Sequence, residues 1–202
     1  MRRKTLPLQK LVVCALLLSL LLLMSFTPIG FLAIGPVSIT MAHLPVLVGL
    51  LCEGLGVGLF LGGAFGIISM VRALTPTTLL APFFLNPLVS VMPRLLLPVL
   101  AWLTYHGLWK LLSRWPRQRA LISYAGSALV GSATNTIVVL SMLQLIFREQ
   151  IAKEMLIDPG LVSGVLIGIV VSNGIPELIL SVLVVPPLVL AVHRAMKRDI
   201  KE

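Results

Sequence analysis

Residues 161 to 190 run for thirty positions with one ionisable side chain, Glu177. A stretch of that kind reads as a membrane-crossing helix, because only a helix satisfies its own backbone within hydrocarbon. Five further apolar segments precede it, at residues 10 to 29, 41 to 52, 55 to 74, 93 to 112 and 120 to 147. The second is too short to span a bilayer unless it borrows from the loop before it. These runs predict an all-α protein, an integral membrane bundle of six transmembrane helices. At roughly 20 residues per crossing, a chain of 202 residues has no room left for a soluble catalytic domain. Residues 1–202 are therefore read as a single transmembrane domain.

Charge follows the same plan. Only 11% of the chain is charged and 58% is hydrophobic, against roughly a quarter and a half in soluble domains. Arg2, Arg3, Lys4 and Lys10 precede the first segment. Lys110, Arg114, Arg117 and Arg119 separate the fourth from the fifth, and Arg194, Lys197, Arg198 and Lys201 follow the sixth. An even number of crossings separates these clusters, so the positive-inside rule places both termini in the cytoplasm. Topology also accounts for the net charge of +9, which implies the lipid bilayer as partner and no nucleic acid. The opening "MRRKTLPLQKLVVCALLLSLLLLMSF" has the basic start of a signal peptide but lacks a small-x-small cleavage site, so it is read as a retained helix. Cys14 and Cys52 lie in apolar segments with no close pair and no histidine at metal spacing. They are read as small core residues, with no disulfide, metal or cofactor implied.

In this topology "GFLAIGPVSIT", "ALTPTTLLAPFFLNPLVSV" and "REQIAKEMLIDPG" are outward loops. The second of these carries Pro76, Pro82, Pro87 and Pro93 and is long and apolar, so it is expected to fold over or into the bundle. Trp102, Trp109 and Trp115 fit the inner interface. Gly54, Gly58, Gly62 and Gly66 recur every four residues and predict close approach of another helix, within the chain or from a partner.

Polar side chains at membrane depth cost about 2.5–3.5 kcal/mol each when charged, so each calls for a partner. The candidates are His43, Asn86, Arg94, Asn135, Asn173 and Glu177. Asn173 and Glu177 share a helix face around Pro176, which removes a backbone donor. Asn135 lies at a matching height, and Arg94 delivers a fork of donors suited to an anion. The alternatives are an Arg94 that snorkels to headgroups and an Arg94–Glu177 pair that only ties the bundle together. Gln144, half a turn around its helix from Asn135, is expected on the outer surface. Catalysis has little footing. Ser127 in "AGSA" has no histidine or aspartate arrangement beside it, and no Gly-rich phosphate loop is present for ATP hydrolysis. No inverted repeat suggests an ion-coupled secondary transporter. A scaffolding membrane subunit, with its glycine face on partner helices, stays open at this point.

"HLPVLVGLLCEGLGVGLFLGGAFGIIS", "NPLVSVMPRLL" and "NGIPE" together resemble the substrate-binding S component of an energy-coupling factor (ECF) transporter for vitamins, over nearly the whole chain. The resemblance implies capture of a small-molecule vitamin from outside, then toppling in the membrane on a transmembrane coupling subunit driven by two ATPase subunits. Docking in the family uses small residues on the first helix, for which Ala15 and Ser19 in "ALLLS" are the counterparts. The strings look most like the pantothenate-type branch, which implies a carboxylate for Arg94 and amides and hydroxyls for Asn135, Asn173 and Glu177. Folate and cobalamin carriers share the architecture.

Overall fold

A computed structural model describes residues 7–27, 31–34, 37–75 and 78–196. Eight helices are described: α1 (Pro7–Phe26), α2 (Leu44–Glu53), α3 (Leu55–Ala73), α4 (Pro87–Ser90), α5 (Met92–Leu111), α6 (Pro116–Met155), α7 (Val162–Ile169) and α8 (Ile175–Ala195). Among the described residues, five stretches are long and apolar enough to cross a membrane: Leu8–Phe26, Leu55–Ala73, Pro87–Arg114, Gln118–Met155 and Pro159–Ala195. The chain is thus a multi-pass membrane protein.

The second predicted segment is the exception. Helix α2 has 10 residues, about 15 Å at 1.5 Å per residue, half the hydrocarbon thickness. It survives because it is the hub of the bundle. Its residues Leu44 to Leu50 are all buried, and it packs on α1, α3, α5, α6 and α8. Gly54 ends it at φ 95°, a left-handed conformation that favours glycine, and α3 begins at the next residue.

The bundle is all-helical as expected, and one connection adds a short β element to it. In the first connection, β1 (Phe31–Ile34) and β2 (Val37–Thr40) form an antiparallel hairpin, Phe31 opposite Thr40 and Ile34 opposite Val37. The segments "FLAI" and "VSIT" are rich in aromatic and β-branched residues, which suit a pleated ribbon. Strand β2 lies against the 170–174 turn and α8.

Two other connections also take shape. The described part of the proline-rich segment folds into the bundle as a 3₁₀ turn (Ala81–Leu85) followed by α4. Leu80 and Val89 are buried there with Val139, Leu143, Ile151 and Ile169. The segment "REQIAKEMLIDPG", read as a loop, is helical through Met155. Helix α6 is 40 residues long, about 60 Å, and so outlasts its apolar stretch. It closes at Leu156 in the left-handed region, φ 55°.

The glycine row of α3 packs within the chain. A Cβ on Gly62 would overlap the Arg94 carbonyl oxygen, and one on Gly66 would meet Val91 Cα at 2.8 Å. Only glycine lets α5 start this close to α3. Gly54 does not belong to that face, since a Cβ there meets nothing within 4 Å.

Candidate substrate-binding site

Five of the six polar candidates are buried in the bundle: His43, Arg94, Asn135, Asn173 and Glu177, none more than 6% exposed. Their positions follow from local chain chemistry. Arg94 sits in the first turn of α5, where the Gly62 contact draws its backbone against α3. Asn173 lies in a π-helical turn (Val170–Gly174) between α7 and α8. Pro176 is the physical reason for that turn: it lacks an N–H and crowds the carbonyl four residues back, and the widened turn relieves both faults.

A chain of hydrogen bonds joins three helices. His43 Nε2 and Ser181 Oγ are 2.7 Å apart, and Ser181 Oγ donates to the Glu177 carbonyl at 2.7 Å. A serine has one proton and that carbonyl only accepts, so Nε2 of His43 is the donor in this pair. Thr136 Oγ1 donates to Glu177 Oε2 at 3.4 Å. The row therefore links the start of α2 to α8 and to the middle of α6, beside Asn135.

Arg94 is the most costly group in this interior. It is 4% exposed, so it does not snorkel to the surface. Its NH1 donates to Val89 O at 2.7 Å, and its guanidinium carbon lies 5.2 Å from the Phe65 ring centroid and 5.3 Å from that of Phe84. Such cation–π contacts offset part of the desolvation. Glu177 is within Coulombic reach. Yet a guanidinium has five N–H donors, and Arg94 Nε is buried with no hydrogen-bond partner among the described residues. Asn135 Oδ1 is buried without one as well. The interior thus holds an unused donor on a cation and an unused acceptor. That combination suits an anionic ligand carrying neutral polar groups.

The family model for the ECF transporter, substrate-specific component, matches residues 9–189. The chain belongs to that family. It is also 30% identical over 176 residues to the pantothenic acid transporter PanT of Lactococcus lactis subsp. cremoris (strain MG1363), an alignment covering 79% of this chain and 80% of that protein.

Other positions in this S component depart from their expected places. Asn86 is half-buried, and its Oδ1 accepts from Leu88 N at 2.9 Å and caps the N-terminus of α4. Gln144 does not point outward, since its Nε2 donates to Ser163 Oγ at 3.0 Å across the α6–α7 contact. Helix α7 doubles back along α6 there and covers the face that periodicity alone left to lipid. Phe65 and Phe84 carry no signal in the sequence, because an aromatic side chain in an apolar run gives no sign of the cation it faces. Ala15 and Ser19 lie on the exposed side of α1. Ser19 Oγ folds back onto Ala15 O at 2.9 Å, so this face presents no unsatisfied hydroxyl.

Proposed function

We propose that this protein is the pantothenate-binding S component of an ATP-driven ECF importer. It captures the vitamin from outside and delivers it with a transmembrane coupling subunit and two ATPase subunits. The single observation that carries the ligand assignment is the buried Arg94 guanidinium with an unused donor edge; the similarity to PanT supports pantothenate as the anion it meets. The carboxylate pairs with Arg94, and Asn135, Asn173, Glu177 and His43 hold the hydroxyls and amide. The protein catalyses no reaction and holds no cofactor. Helix α2, with the β-hairpin before it, completes a sixth crossing, and both termini lie in the cytoplasm.

Closure follows from the hairpin's place. Strand β2 rests on the turn that carries Asn173, so the first connection covers the polar interior from one side. The α4 segment covers it from another, with Asn86 as the cap that keeps the α4 turn wound. On α1, the flat Ala15–Ser19 face serves as the docking surface for the coupling subunit, since small residues let helix backbones approach closely.

The test is calorimetric titration of detergent-purified protein with pantothenate, folate and cobalamin in parallel. Saturable binding of pantothenate alone supports the assignment. Tight binding of either other vitamin reassigns the ligand, and binding of none turns the protein into a scaffolding subunit.

A further inference from the structure

The hydroxyl of Ser132 on α6 departs from the usual pattern of a helical hydroxyl in this protein. Ser19, Thr104, Thr134 and Ser181 each turn back onto the carbonyl four residues earlier, the usual refuge of a hydroxyl in a helix. Ser132 does not. Its residue is 0% exposed, and Oγ has no hydrogen-bond partner among the described residues. Leaving a buried hydroxyl unpaired is costly when a partner is one rotation away.

The register of α6 locates it. Gln144 meets Ser163 and Thr136 meets Glu177, so the chain from α7 through α8 runs antiparallel to α6. One turn further in the same direction brings Ser132 level with Ser181, the residue that holds His43. Ser132, Asn135 and Thr136 share one face of α6 at helical spacing. Ser132 Oγ and Asn135 Oδ1 are thus two unpaired, buried polar atoms three residues apart. Ser25 and Ser123 are also buried with unpaired hydroxyls, but neither has a second unpaired polar atom within a turn of its own helix.

We infer that Ser132 and Asn135 form a subsite for a hydroxyl group of the ligand, and that Ser132 determines specificity for hydroxylated over hydroxyl-free acids. This inference rests on the pantothenate reading above. A donor (Ser132 Oγ–H) and an acceptor (Asn135 Oδ1) stand unpaired within one turn of the same helix face, a pair that one ligand atom can serve. A hydroxyl oxygen accepts and donates from that single atom, whereas the N–H and C=O of a secondary amide point in opposite directions.

The experiment compares wild type with Ser132→Ala, titrated with pantothenate and with its analogue bearing hydrogens in place of the hydroxyls. Ser132→Ala is expected to bind pantothenate about tenfold more weakly and to bind the analogue as wild type does. Its melting temperature without ligand stays level or rises, because an unpaired buried hydroxyl has been removed. Should Ser132→Ala fail to fold, Ser132→Cys takes its place with the same predicted selectivity. Equal loss for both ligands, or no loss for either, overturns the subsite; so does a fall in ligand-free melting that accounts for the weaker binding. Wild type that binds no pantothenate overturns the functional reading first, before any substitution is made, and this inference with it.

Discussion

Replacing Gly62 with alanine tests whether the glycine row of α3 sets the position of Arg94. The added Cβ would overlap the Arg94 carbonyl oxygen and lie 3.3 Å from its carbonyl carbon and 3.4 Å from Pro98 Cγ. Backbone cannot rotate aside as a side chain can, so α5 has to withdraw. Overpacking of this kind costs about 1–3 kcal/mol, offset by about 0.8–1 kcal/mol from replacing glycine in a helix. The neighbouring Gly63 is the control, because its nearest contact is Leu95 Cδ2 at 3.8 Å. Gly63→Ala gains the helix term without the clash. At about 2–4 °C per kcal/mol for a chain of this size, Gly62→Ala is expected to melt about 3 °C below wild type, and at most about 9 °C below it, with Gly63→Ala about 2–4 °C above it. Thermal unfolding of the detergent-solubilised proteins, followed by intrinsic tryptophan fluorescence, reads both shifts. Binding separates the pair too: Gly62→Ala weakens pantothenate affinity because the carbonyl it displaces belongs to Arg94, while Gly63→Ala leaves affinity intact. Two variants that melt within a degree of each other would refute the packing argument.

Leu156→Gly relieves the left-handed conformation at the end of α6 and is expected to stabilise by about 1 kcal/mol, seen as a higher melting temperature with unchanged ligand affinity. Ser19→Trp places a bulky ring on the flat face of α1 and is expected to abolish co-purification with the coupling subunit and ATPases, leaving pantothenate binding by the isolated subunit at the wild-type level.

Hydropathy made the long helices legible, because each apolar run meets the same requirement for an internally bonded backbone. The polar interior was legible for a related reason: His43, Arg94, Asn135, Asn173 and Glu177 are conspicuous where every charge or amide is expensive. What escaped depended on contacts between distant segments. The polar end of α6, from Arg148 to Met155, carries no apolar signal and reads as a loop, although it extends a helix already nucleated. The β-hairpin consists of two four-residue strands, too short for periodicity to separate from a connection. The angle between Gln144 and Asn135 around α6 points Gln144 outward, but α7 folds back over that side. Ser132 was invisible in sequence, where a serine in a small-residue stretch is indistinguishable from one bonded to its own helix.

The central claim is that a buried guanidinium meets the ligand's carboxylate, and calorimetric titration of pantothenate into Arg94→Ala tests it most directly. Removing one partner of a desolvated charge pair costs about 2–5 kcal/mol, so affinity is expected to fall between about thirtyfold and several thousandfold while the melting temperature without ligand stays near that of wild type. An Arg94→Ala protein that binds pantothenate with wild-type affinity would contradict the account.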